Sequence, residues 1–390
     1  MGQAEDEIRI DAEDALAAID GLEVRRVFSG WGFYRHGLLF AAAWEGEAEF
    51  HRSIAWPSSR LRGSYGTACR CGPASTSWRT WPASLEAHDR ELSRSTSGAR
   101  PGAGALCQDG SMRFAFKTSP QNTTWRDMLA VWQEADDIEL FESGWTFDHF
   151  YPIMSDSAGP CLEGWVTLTA LAQATSRLRL GALVTGIHYR HPAVLANMAA
   201  TLDIVSGGRL ELGVGAGWNE EESGAYGIEL GGRAERSDRF EEACEVIVSL
   251  LTRETTDFAG QYYQLTGARC EPKPVQQPHP PIVVGGSGER RTLRTAARFA
   301  QHWNFVGGPP EEFARKRDVL HAHCHDIGRD PAEIVLSSHV RLGPGGEIGP
   351  AVDTAAALGD LGLDLAIVTL MPPHDPAVLA PLADALAQLR

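Results

Sequence analysis

The stretch TSRLRLGALVTGIHYRHPAVLANMAATLDIVSGGRLELGVGAGWNEEE, residues Thr175–Glu222, decides the fold. Leu178–Val184 is an apolar run of strand length. Ala193–Ile204 carries a helical pattern, Gly207-Gly208 breaks it, and Leu210–Val214 is a second apolar run. Strands that are apolar throughout are buried on both faces, which is the habit of parallel sheets. A helix between two such strands makes a βαβ unit. Working outward, further strands are expected at Arg113–Lys117, Gly144–Phe147, Ile282–Val284, Trp303–Val306, Ile334–Val340 and Leu365–Leu370. Helices are expected at Trp125–Ala135, Arg239–Leu251, Arg290–Ala300, Pro310–His323, Ala351–Leu361 and Pro376–Leu389. Eight alternating units in about 280 residues predict an α/β fold, a (β/α)8 TIM barrel over residues 112–390. An open doubly wound sheet is the competing arrangement. Thr255–Pro281, with its Phe258–Tyr263 core and proline-rich tail, reads as a hairpin inserted between barrel units.

Residues 1–50 read as a small α+β piece. Glu5–Ile19 has apolar residues at helical spacing, Val24–Phe28 and Gly32–Trp44 read as strands, and Tyr34-Arg35-His36-Gly37 as a turn. Residues 51–111 form an irregular linker rich in Ser, Arg, Gly and Trp, without a period of 2 or 3.6. Two readings stand side by side. One is a disordered linker that buries too little apolar surface to order itself. The other is an out-of-frame stretch ahead of a native start at Met112, favoured by the tryptophans Trp56, Trp78 and Trp81.

The net charge is −16, which argues against general nucleic-acid binding. Runs such as Leu38–Trp44 fall short of the roughly 20 residues that cross a bilayer. Neither a membrane nor a nucleic acid is therefore an expected partner, and the expected location is the cytoplasm. The seven cysteines are scattered, with no paired Cys/His spacing, so free thiols and no metal are expected.

Reactive groups of a parallel barrel lie at the C-terminal ends of its strands. Asp148-His149 ends the second strand and is a candidate acid–base pair, although neighbouring strand residues point apart. Thr185, His188, Tyr189, Arg190 and His191 follow the third, and His191 can cap the next helix. Gly213, Gly215 and Gly217 in the fourth permit close approach of a flat ligand, while Glu220, Glu221 and Glu222 suit a solvated first helical turn. After the fifth, Gly285-Gly286-Ser287-Gly288 leads straight into a helix whose free N–H groups suit a phosphate, with Arg290, Arg291 and Arg294 adding charge. No GxSxG, HExxH or GxxxxGK[ST] motif occurs in Met112–Arg390.

WTFDHFYPIMSDSAGPCLEGW, the stretch quoted first and PKPVQQPHPPIVVGGSGERRTLR resemble the luciferase-like monooxygenase family. The DHF and GPCLEGW segments resemble its subgroup dependent on the deazaflavin coenzyme F420. GLEVRRVFSGWGFYRHGLLFAAAWEGE resembles part of the TfoX N-terminal domain, over residues 5–48. The first resemblance implies that His149 with Asp148 lies near the deazaflavin as proton donor or electrostatic partner. It implies a cis peptide at Leu183–Val184 behind the ring and Thr185 at the ring edge. It further implies Gly215 and Gly217 clearing room for the ring, and Gly285 and Gly286 on the cofactor phosphate. F420-dependent sugar-phosphate dehydrogenases of the family carry a Glu where Trp218 stands, which argues against a sugar phosphate. Phe141–Gly144 departs from the family's spacing, so an altered turn is expected there.

The expected function is F420-dependent hydride transfer with a small-molecule substrate. An FMN-dependent monooxygenase served by a flavin reductase is the alternative, and a non-catalytic fusion regulator is the third. The resemblance also suggests a homodimer.

Overall fold

A computed structural model describes residues 22–27, 30–35, 38–43, 111–153 and 156–390. The chain divides into two units. The first contains an antiparallel sheet of β1 (Leu22–Val27), β2 (Gly30–Arg35) and β3 (Leu38–Ala43), in that order. The strand expected at Gly32–Trp44 is thus two strands, and Tyr34 and Arg35 belong to β2 rather than to a turn. The helix expected at Glu5–Ile19, residues 36–37 and almost all of 51–111 lie outside the described residues.

The second unit is a (β/α)8 barrel. Its strands are β4 (Arg113–Thr118), β5 (Phe141–Asp148), β6 (Arg179–Gly186) and β7 (Leu210–Gly215). After the hairpin of β8 (Thr256–Ala259) and β9 (Gln264–Ala268) come β10 (Ile282–Gly285), β11 (His302–Phe305), β12 (Val335–Arg341) and β13 (Leu365–Leu370). The barrel closes in the order β10-β11-β12-β13-β4-β5-β6-β7, all parallel. The open sheet is thereby excluded. The hairpin sits between barrel units, where the Phe258–Tyr263 segment placed it.

The helices are α1 (Trp125–Asp137), α2 (Gly164–Ala174), α3 (Pro192–Val205), α4 (Glu220–Ala225), α5 (Arg233–Thr252), α6 (Thr292–Phe299), α7 (Pro310–Asp326), α8 (Gly349–Gly359) and α9 (Leu379–Leu386). His191 Nδ1 accepts the Ala193 N–H and Pro192 supplies N1, which starts α3 where the sequence places it. α2 escaped the periodicity reading. Its run of Trp165, Val166, Leu168, Leu171 and Ala172 is apolar nearly all round, so it shows no polar face. At Phe141–Gly144 the altered geometry is a bulge rather than a turn. Phe114 pairs with Phe141 and Ala115 with Ser143, which leaves Glu142 unpaired in the ladder and bonded to Arg113 at 3.1 Å.

Two apolar layers hold the barrel. The larger lies between strands and helices and includes Phe114, Phe116, Trp132, Leu180, Leu212, Trp303 and Val368. The smaller fills the interior with Ala115, Trp145, Leu183, Val283, Leu365 and Ile367. Below it, at the strand N-termini, sits a polar plug. Glu211 accepts from Arg179 at 2.7 Å and pairs with His302 at 2.9 Å, and His302 meets Ser337 at 2.6 Å. Burial would raise the Glu211 carboxyl, but Arg179 and His302 outweigh it and hold it down to about 2. The plug fills the N-terminal end, which leaves chemistry to the other end.

Candidate active site

β5 delivers Asp148 and His149 to the C-terminal mouth, and their side chains diverge. Asp148 is wholly buried and takes both Arg190 guanidinium nitrogens, at 2.5 and 3.2 Å. Arg190 also donates to Glu163 at 2.6 Å. Burial pushes the Asp148 carboxyl up, and the Arg190 ion pair does not fully offset it. Asp148 therefore anchors the loop after β6 to the start of α2.

His149 points instead to Glu222. Its Nδ1 lies 2.9 Å from Glu222 Oε2, and the Phe150 N–H donates to Oε1 at 3.1 Å. Asn219, which caps α4, donates to Oε2 at 3.2 Å, and Tyr189 Oη lies 3.3 Å from His149 Nδ1. Burial raises the Glu222 carboxyl, but the His149 contact and the Phe150 N–H hold it below the usual range. An ionised Glu222 fixes Nδ1 as donor, so Nε2 is left as the working nitrogen of the imidazole. Nε2 has no hydrogen-bond partner among the described residues. The expectation of a solvated role fails for Glu222, which is fully buried, while Glu220 and Glu221 are exposed. Helix phase separates the three: with Asn219 as cap, the third glutamate is the one that turns inward.

Trp218 is 59% exposed and its ring stands 5.6 Å from that of His149. Phe150 stacks on Tyr226 at 4.5 Å, and Tyr189 lies 4.8 Å from Phe150. These rings make an aromatic rim. His188, pushed down to about 4 by burial, is a neutral support bonded to Ser223 at 3.0 Å.

The Leu183–Val184 peptide is cis. Val184 is the hub behind it. A Cβ on Gly215 would stand 2.7 Å from Val184 Cγ2, and one on Gly285 would stand 2.8 Å from Cγ1. A Cβ on Gly217, whose φ is +85°, would meet His188 Nδ1 at 2.4 Å. The missing side chains of Gly215 and Gly217 thus admit Val184 and His188. Thr185 is fully buried and its hydroxyl accepts from Trp165 at 2.9 Å, so it braces α2 rather than an open edge.

At the end of β10, Gly286 donates to the Asn304 carbonyl at 3.2 Å and accepts from Trp303 Nε1 at 2.8 Å. Gly286 is therefore spent on anchoring the turn, and Gly285 on admitting Val184. What stays unclaimed is Ser287 Oγ, buried and without a partner, and the exposed Arg290. α6 begins at Thr292, two residues later than expected. Arg291 and Arg294 are paired with Asp238 and Glu241 of α5 and are not free for an anion. An orphaned hydroxyl in a glycine turn ahead of a helix fits a phosphate group.

A family model for luciferase-like monooxygenases matches residues 111–357, more than half of the chain. The chain belongs to the luciferase-like monooxygenase family. The F420-dependent glucose-6-phosphate dehydrogenase of Amycolatopsis mediterranei is 32% identical over 177 residues, which are 45% of this chain and 52% of that protein. The chain spans about half the length of the curated relatives it first matches. Among solved structures, an F420-dependent secondary alcohol dehydrogenase with an F420–acetone adduct superposes with a TM-score of 0.64 at 18% identity, over 72% of this chain and 99% of that one. The monooxygenase RslO1 from Streptomyces bottropensis does so at 0.59 and 19%, over 71% and 98%. At such identities the luciferase-like barrel is the shared property. No helix among the described residues is long and apolar enough to cross a membrane.

Proposed function

We propose that residues 112–390 form an F420-dependent oxidoreductase that transfers a hydride between the deazaflavin and a small organic substrate. The observation that carries the reading is the buried Glu222–His149 pair, set at the same barrel mouth as the Val184 hub and a turn with an orphaned hydroxyl. The F420-dependent relative and structural neighbour support the choice of cofactor. When bound, a deazaflavin supplies a carbon centre that gives or takes a hydride.

The chain's own residues do the rest. Ser287, Gly288 and Arg290 hold the phosphate. Val184, wedged between Gly215 and Gly285, forms a firm apolar backing for the ring. Glu222 fixes the His149 tautomer, and His149 Nε2 holds or gives the proton that accompanies hydride transfer to a carbonyl. Asp148 acts through Arg190, keeping the loop from Ile187 to His191 in place. Trp218 and the aromatic rim exclude water above His149.

The test is titration of the full chain with oxidised F420 and, separately, FMN, read by absorbance and fluorescence. Tight binding of F420 with weak binding of FMN is expected. Preference for FMN would replace the reading with oxygen chemistry and a partner reductase, as in the monooxygenase neighbour. Binding of neither would leave a barrel without turnover, as a fusion regulator requires.

A further inference from the structure

Across the mouth from the glycine turn lies a group of basic side chains that the proposed hydride transfer leaves unused. In the ladder, Arg341 is level with Thr369, and Thr369 with Lys117. One step lower, His339 is level with Ile367, an interior residue. Side chains two apart on a strand share a face, so His339, Arg341, Thr369 and Lys117 all belong to the inward-facing set. Lys117 Nζ donates to the Leu183 carbonyl at 3.2 Å and stands 6.0 Å from the Phe147 ring centroid. His339 Nδ1 is buried with no partner. Neither Lys117 nor Arg341 has a carboxylate partner among the described residues. Burial and Arg341 lower the Lys117 ammonium to about 8, and burial with Lys117 and Arg341 drives His339 well below its usual value. Among the described residues no carboxylate forms an ion pair with this group.

β4 is diametrically opposite β10 in the eight-stranded circuit. The strand that carries Lys117 therefore stands across the barrel from a cofactor phosphate on the β10 turn, and its ammonium reaches inward as far as the Leu183 carbonyl. We propose that Lys117, His339 and Arg341 form a second anion-binding subsite, which takes a carboxylate or phosphate-ester group of the substrate. This rests on the proposed hydride transfer for what occupies the space between the two sites. The substrate class that follows is an anionic organic molecule, held by its charged end while its reactive end reaches towards His149.

The test uses the full chain and inorganic phosphate as probe, at constant ionic strength. At ten times Kd, phosphate is expected to raise the thermal midpoint by about 3 °C. Lys117→Met and Arg341→Ala are each expected to lose at least half of that shift, and Arg290→Ala to keep most of it. Loss of the shift only in Arg290→Ala, or no shift in any protein, would overturn the subsite. F420 fluorescence on the same samples separates the two ideas. Absence of F420 binding with a Lys117-dependent phosphate shift would sink the hydride-transfer reading alone. Weakened F420 binding in Arg341→Ala would assign the subsite to the cofactor and overturn its assignment to the substrate.

Discussion

Gly215→Ala tests the packing behind the cis peptide. The new methyl would stand 2.7 Å from Val184 Cγ2, against an ordinary carbon contact of about 3.5–4.0 Å. Val184 has nowhere to turn, because its Cγ1 faces Gly285, where a Cβ would fit only at 2.8 Å. Relief requires about 1 Å of backbone movement, and overpacking of this kind costs about 1–3 kcal/mol. Val184→Ala alone removes two methyls from a half-buried site and costs at most about 1.6 kcal/mol. With Val184→Ala in place, the Gly215→Ala clash has no partner. The double variant should therefore be no less stable than Val184→Ala, a coupling of about 2 kcal/mol in its favour. Urea unfolding of the four proteins, with equal m-values, measures this cycle. Additivity within about 0.5 kcal/mol would refute the wedge.

Other outcomes follow from the buried charges. Lys117→Met should stabilise the protein by up to about 3 kcal/mol at pH 7. The lysine, lowered to about 8, burdens the fold below that pH and is relieved between about 8 and 10.5. The wild-type advantage of Glu211 runs the opposite way. Held at about 2, it contributes about 3 kcal/mol above the unfolded carboxylate range, and this is lost as pH falls towards 2, so Glu211→Gln should flatten the acid limb of a stability–pH curve. Arg190→Met strands Asp148 and should cost about 3–5 kcal/mol in chemical unfolding, while Asp148→Asn in the same background should recover much of it. Glu222→Gln keeps shape but loses the charge that fixes His149. It should lower turnover by about 10²–10⁴ and leave the F420 dissociation constant within about threefold, and equal loss in both would reassign Glu222 to cofactor binding.

The barrel was legible because its strands are buried on both faces, and Leu365–Leu370 came out to the residue. α2 was not, since a helix apolar all round carries no phase. Of the site, the position of His149 was legible and its partner was not. Three consecutive glutamates are indistinguishable until Asn219 is taken as the cap, which puts Glu222 at the capping-box position. The glycines marked places without room for a side chain, but sequence does not say what packs there. Val184 lies 31 residues from Gly215 and about 100 from Gly285, and His188 lies 29 from Gly217, beyond any local pattern. Lys117 gave no signal at all, because one base at the end of an apolar strand looks like an exposed terminus.

The Arg179–Glu211–His302–Ser337 plug turns the barrel into a dead end. Whatever enters at the aromatic rim must leave by the same doorway. Two ligands sharing such a cul-de-sac form a queue: the deeper one arrives first and departs last. Stopped-flow release of the cofactor should therefore slow as the second ligand saturates, and an unchanged rate would mean that traffic passes another way.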